Sequence, residues 1–389
     1  MSVATYTIAG NGVRNFYSSS SSYIRRHNFP IIIPNIRSLS FPFNNSYVTA
    51  AVSSSSSTTS VSDSIGNSSN FTWDDVFQVS QSRSDLDGFF QKISLCNRGS
   101  EKRSDFIPFV IEDQIVGYVH IGFADQLSKF KDVFTITKDN TYGSQSGHVT
   151  LQSALKTPES RTEALGNVVK CLGEEVFPGI RNELYPVTSS YGGSVYFSLE
   201  RAAAPYFGIK AYGIHMSGYV EKDGEKYLWI GKRSETKATY PGMLDHLVAG
   251  GLPHGMSCAE NVVKECEEEA GIPRPISSRA IPVGVVSYMD IDGYRFKRDV
   301  LFCYDLKLPE SFIPHNQDGE VGSFKLLPVT LVGDVIRNTE FFKANCNLVI
   351  IDFLFRHGWP SSHLPLLCPF DKSPPPGHGY PSKMRVGGI

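Results

Sequence analysis

The 389-residue chain predicts an α/β fold of the α+β kind: a mixed sheet covered by helices on both faces, preceded by a smaller α+β block. Three observations lead there. The composition, 41% hydrophobic and 20% charged, is that of a soluble globular protein, and the length allows two full cores. From residue 206 onward, strand-like runs surround one acidic helix and end in a second helix. No apolar run approaches the roughly 18 residues that span a bilayer; "PIIIP" at 30–34 is far too short.

Residues 1–62 have a different texture. They hold no acidic residue and no lysine, only Arg14, Arg25, Arg26 and Arg37, among serine runs such as "YSSSSSY" and "SSSSSTTS". Ser-rich, Arg-bearing and acid-free is the composition of a transit peptide. The abundance of hydroxyl groups points to a chloroplast address, with a cut near "VTAAVS" (48–53). The net charge is −2 overall, and without the arginines ahead of Asp63 it falls to about −6. No basic field points to nucleic acid. Seven scattered cysteines without a Cys-x-x-Cys pair argue for free thiols in a reducing compartment.

The first folded block covers 71–205. "TWDDVFQVSQSRSDLDGFFQKI" has helical spacing with Thr72 as N-cap, "FIPFVIEDQIVGYVHI" (106–121) reads as a hairpin, and 157–176 as a helix. The second block, 206–365, opens with strands. "KDGEK" places Asp-Gly at the centre of a hairpin turn before "KYLWIGKRS" (226–234). Two further strands, 281–289 and 294–308, flank "DIDG" (290–293). That segment is a turn and not a calcium loop, because Leu301 stands where the twelfth-position glutamate belongs. A helix spans 347–358, and residues 366–389 form a Pro/Gly-rich tail.

The chemistry concentrates in "GGLPHGMSCAENVVKECEEEAGI" (250–272). Ser257 and Glu260 make a capping box that starts a helix at Cys258, and Gly271 fits its left-handed end. At 100° per residue, Ala259, Val262, Val263, Cys266 and Ala270 share one apolar stripe. Glu265, Glu268 and Glu269 cluster on another arc, and Glu267 lies outside it. Like charges at i,i+4 repel by about 0.2–0.5 kcal/mol per pair. A solvated acidic face is the plain alternative; a hard divalent cation with oxygen ligands is the compensation that would give the cluster a purpose.

This spacing resembles the Nudix box, G-x5-E-x7-R-E-U-x-E-E-x-G-U, where U is aliphatic. Gly250 aligns with the first glycine, Glu265 with the glutamate after the arginine position, Glu268 and Glu269 with the acidic pair, and Gly271–Ile272 with the end. Met256, Lys264 and Cys266 depart from the expected glutamate, arginine and aliphatic residue. Lys264 keeps the charge without the planar fork. The flanks, "WIGKRSETKATYPGMLDHLVAGGLPHG" and "ERAAAPYFGIKAYGIHMSGYV", resemble the plant and fungal Nudix branch related to a domain attached to thiamine pyrophosphokinase in some fungi. The likeness covers about 71–365.

The resemblance implies an α/β/α sandwich and a plastid hydrolase of small-molecule diphosphates, with Mg²⁺ or Mn²⁺ as cofactor. Glu265, Glu268 and Glu269 are expected to hold the metal, with Glu320 as a further acid. Gly250 and Gly251 are expected to offer backbone N–H groups to the substrate, and Arg233 and Lys237 to meet phosphate. The substrate it implies is thiamine diphosphate or its damaged oxidised forms. ADP-ribose or a dinucleotide is the first alternative, and a non-catalytic ligand sensor on the same scaffold the second. A thiamine kinase is disfavoured, since the chain has no G-x-x-x-x-G-K-[ST] loop. His215 and His246 read as hydrogen-bonded structural residues. Trp229 and Tyr288 are candidates to stack on a ring, with core packing the commoner role.

Overall fold

The computed structural model describes residues 71–80, 86–138, 141–142, 147–237 and 239–359. The expected transit peptide (1–62) and Pro/Gly tail (366–389) lie outside the described residues. In chain order the elements are α1 (Trp73–Phe77), α2 (Asp87–Leu95), β1 (Phe106–Ile111), β2 (Gln114–His120), α3 (Ile121–Leu127), β3 (Phe134–Thr137), β4 (His148–Leu151) and α4 (Pro158–Val176). They are followed by β5 (Leu184–Val187), β6 (Phe197–Glu200), β7 (Lys210–Lys222), β8 (Glu225–Arg233), β9 (Leu244–Asp245) and β10 (Val248–Gly251). After these come α5 (Cys258–Ala270), α6 (Arg274–Ser277), β11 (Ile281–Asp292), β12 (Arg295–Lys307), β13 (Val321–Pro328), α7 (Val329–Asn338) and α8 (Ala344–Arg356).

The N-terminal half of this set builds a four-stranded sheet in the order β2-β1-β4-β3, with the β5–β6 hairpin beside it. The β1–β2 turn is carried by Glu112 and Asp113, both at positive φ. The larger sheet has the order β11-β12-β7-β8-β13, with β10 on β7 and β9 on β8. It is mixed: β12 and β7 run parallel while its other pairings are antiparallel. Asp223 (φ 52°) and Gly224 (φ 81°) close the β7–β8 hairpin, the double left-handed turn that Asp-Gly favours.

Side chains alternate across this sheet and so divide it between two helical layers. Phe302 and Tyr304 join Ile214, Met216 and Val248 against Val262, Cys266 and Ala270 of α5. Their neighbours Leu301 and Cys303 point the other way, to Leu348 and Val349 of α8. Burial on both faces explains why β12 reads as a nearly continuous apolar run rather than an alternating one.

Residues 71–96, grouped by their sequence with the first block, pack on the second. Phe71, Val76 and Phe89 share a core with Leu228, Leu327, Val335, Ile350 and Phe353. The described residues of both blocks belong to one compact unit. Among the described residues no helix is long and apolar enough to cross a membrane. Their six cysteines are free, and all but Cys171 are buried.

Candidate active site

The acidic helix forms where its caps require. Ser257 accepts from the Glu260 N–H while the Glu260 carboxylate reaches back, and Gly271 takes φ 61° at the C-cap. The face it buries differs from the expected stripe. Ala259 is exposed and Val263 half-buried, whereas Cys258, Asn261 and Glu269 turn inward beside Val262, Cys266 and Ala270. The reason is β10, which crosses this face and supplies polar partners. Ala249 N–H donates to Glu269 Oε2 at 2.8 Å, and Asn261 Nδ2 donates to the Gly251 carbonyl at 2.8 Å.

The three carboxylates therefore have three different settings. Glu269 is buried at 8% exposure. Burial pushes its pKa well up, Glu265, Asp245 and Glu320 add to the rise, and the Ala249 N–H opposes it. Glu265 lies against Gly250, and its pKa is also raised, by burial and by Glu268 and Glu320, against Lys264. Glu268 points outward to a cleft of about 690 Å³ that also includes Lys264, Arg274 and Gln317. Lys264 bonds Glu268 and reaches Glu265 Oε1 at 3.4 Å. This lysine therefore relieves part of the acid crowding, mostly at Glu268. The pair left crowded is Glu265 and Glu269, with Glu320 acting on both.

Glu320, just ahead of β13, pairs with Lys237 at 2.6 Å. The structure thus brings Lys237 beside the acidic group. Arg233 has another role. It bonds Asp245 Oδ2 at 2.7 Å and the carbonyls of Tyr240 and Thr239 at 3.0 Å each, so its donors are used within the fold and not held out to phosphate.

Gly250 and Gly251 are also placed differently from the expected anion-binding loop. Both lie in strand β10, opposite Ile214 and Gly213 of β7. Their lack of a side chain is steric. A Cβ at Gly250 would sit 2.4 Å from the Glu265 carboxyl carbon, and one at Gly251 would sit 2.6 Å from the Tyr185 hydroxyl. Gly250→Ala is therefore expected to swing Glu265 out of place; with Glu265 in the proposed role at the reacting centre, kcat should fall about 10- to 100-fold. A fold kept intact by circular dichroism together with a wild-type rate would refute this placement.

On the opposite face of the sheet lies a group the sequence did not announce. His215, Asp245, His246 and Cys346 are all buried and bring ligand-type atoms within 4.8 Å of one another. The histidines meet Nδ1 to Nδ1 at 3.0 Å. Asp245 accepts from Arg233, from Lys343 at 3.2 Å, from Cys346 Sγ at 2.8 Å and from the His246 N–H at 2.9 Å. Burial alone would raise Asp245; Lys343, His246 and Arg233 instead hold it well below the usual range. Its charge is already answered by two cations, which would repel a metal ion. The two histidines are buried and hydrogen-bonded to each other. Trp229 packs at the edge of the α5 core.

A mixed sheet thus lies between two helical layers, with a capped acidic helix laid across a Gly-Gly strand. Residues 212–345 match the NUDIX domain family, and residues 88–211 match a domain of unknown function, DUF4743. The chain is 65% identical over 297 residues to Nudix hydrolase 20, chloroplastic, of Arabidopsis thaliana, covering 75% of this chain and 79% of that protein. It is 62% identical over 298 residues to Nudix hydrolase 24, chloroplastic, of the same plant, covering 75% and 80%. The chain belongs to the Nudix hydrolase family and is a chain of the plant chloroplast kind, sharing with both relatives the address expected from residues 1–62.

Proposed function

We infer that the chain is a Mg²⁺- or Mn²⁺-dependent hydrolase that cleaves the diphosphate of thiamine diphosphate, or of its damaged oxidised analogues, to the monophosphate and phosphate. The observation that carries the metal-dependent part is the gathering of Glu265 and Glu269 against strand β10, with Glu320 near enough to raise both carboxyls beyond what burial does. Oxygen donors that crowd at such a cost suit a hard divalent cation. Glu265, Glu269 and Glu320 would hold the ion, with Glu268 at the outer edge. When bound, the ion supplies Lewis-acid polarisation and a more acidic water.

The protein's own groups do the rest. A water attacks the terminal phosphorus, the bridging P–O bond breaks, and the monophosphate leaves with the bridging oxygen. Glu265, Glu268 and Glu269 are the candidates to accept the water's proton. Lys237, held beside Glu320, supplies positive charge near the departing phosphate. The domain boundary that goes with this reading falls near 205/206.

The thiamine part rests on the resemblance of the flanking segments, so a substrate panel tests it. Purified chain with Mg²⁺ is expected to release phosphate from thiamine diphosphate or its oxidised forms with a higher kcat/KM than from ADP-ribose or a dinucleotide. The reverse order would reassign the substrate. Tight binding with no turnover of any diphosphate would make the chain a sensor.

A further inference from the structure

Three consecutive residues of β10 connect the acidic helix to the N-terminal block. Ala249 bonds Glu269, Gly250 abuts Glu265, and Gly251 abuts the Tyr185 hydroxyl with Glu183 beside it. Gly251 therefore marks the point where residues of β5 come up to strand β10, on the face opposite to the one that meets Glu265. The register shows what else shares that side. Gly251 pairs with Gly213, and Gly213 with Leu301; two residues back along those strands, Ala211 pairs with Asp299, which in turn pairs with Tyr288. By strand alternation, Asp299 and Tyr288 project on the same face as Leu301, away from α5.

On that face two ion pairs come near one another, because Arg201–Phe207 packs against β12. Arg201 bonds Glu183 at 2.8 Å and lies 5.6 Å from the centre of the Tyr185 ring. Lys297 bonds Asp299 at 3.2 Å and lies 5.4 Å from the Tyr288 ring, whose hydroxyl donates to Asp299. The two groups are electrostatically in touch, since Tyr185 senses both Lys297 and Asp299, and Arg201 senses Asp299. Yet 41% of the Arg201 side chain and 37% of Lys297 remain accessible. Both cations, packed against rings and acids, thus still meet water and can meet a ligand.

The geometry points to a specificity site shared between the two blocks: Glu183, Tyr185, Arg201, Tyr288, Lys297 and Asp299 bind the non-phosphate half of the substrate as a nitrogen heteroaromatic ring bearing an amino or hydroxyl group. Two acids and two cations sum to no net charge, so the site does not select a second anion. It presents acceptors and donors together, which match a ring edge carrying both. An isoprenoid chain would cover those charges without returning a hydrogen bond, at a large cost. The proposal rests on the hydrolase reading of the acidic helix but not on thiamine as the particular ring.

The test uses the full chain with Mg²⁺ and steady-state phosphate release from thiamine diphosphate, ADP-ribose and geranyl diphosphate. Arg201→Gln and Lys297→Met are each expected to raise KM for the ring-bearing substrate that wild type prefers by about 10- to 100-fold, the effect of a lost charge-assisted hydrogen bond, with kcat within about threefold. Tyr185→Phe, which removes a single hydroxyl, keeps the question answerable if a charge variant fails to fold, and should raise KM by about 3- to 10-fold. An unchanged KM, a fall confined to kcat, or a wild-type preference for geranyl diphosphate overturns the proposal. A wild-type preference for ADP-ribose with the KM effect intact overturns only the thiamine reading.

Discussion

Glu265→Gln combined with Glu269→Gln is expected to lower metal-dependent phosphate release by about a thousandfold or more, as removal of the groups that bind and exploit an essential ion does. The same double variant should be more stable than wild type in metal-free buffer at neutral pH. Glu269 is buried and its carboxyl raised, first by burial and then by Glu265, Asp245 and Glu320; Glu265 is raised in the same way. A carboxyl whose folded pKa exceeds its unfolded value binds protons more readily when folded. Stability therefore falls as pH climbs from the unfolded value, about 4.3, through the folded one, and stays lower above it. Glutamine removes that loss. Thermal unfolding with and without Mg²⁺ reads the outcome: wild type should gain stability from the ion and the variant should not. A variant that stays active, or a metal-free wild type as stable as the variant, would undo the assignment of these carboxylates.

That combination explains why sequence alone could find the helix but not divide the labour among its acids. The capping box, the terminal Gly271 and the Asp-Gly turn at 223–224 are local signals, and the chain obeys them. The burial of Glu269 depends on strand β10 crossing the helix, a tertiary event that spacing on a helical wheel does not contain. The same limit hid the partner of Arg233. An arginine upstream of a phosphate site looks available until Asp245 is folded against it. It also hid Glu183, Tyr185 and Arg201, which sit in a block without any recognisable motif and acquire meaning only when Gly251 meets the Tyr185 hydroxyl. Gly250 and Gly251 were legible as important but for another reason: their role is close approach of side chains, not freedom of the backbone, for neither lies at positive φ.

The largest stability effect is expected at Asp245, away from the reacting groups. Asp245→Asn keeps the shape and removes the charge that holds Arg233 and Lys343, whose side chains are only 13% and 17% accessible. Two nearly buried cations would then face each other without their counter-ion, and the Cys346 thiol and the His246 N–H would lose a charged acceptor. Breaking a buried pair from one side costs about 3–5 kcal/mol. Here one acid serves two cations, so the upper part of that range is expected in urea unfolding. The network ties β8 and β9 to the start of α8, so the loss should appear as a lower midpoint with the slope of the transition retained. Chelator-treated wild type should keep its midpoint in buffer without added metal. A drop on chelation that matches the Asp245→Asn loss would mean that His215, Asp245, His246 and Cys346 hold a transition metal after all, and an unchanged midpoint in the variant would mean that the cations find water instead.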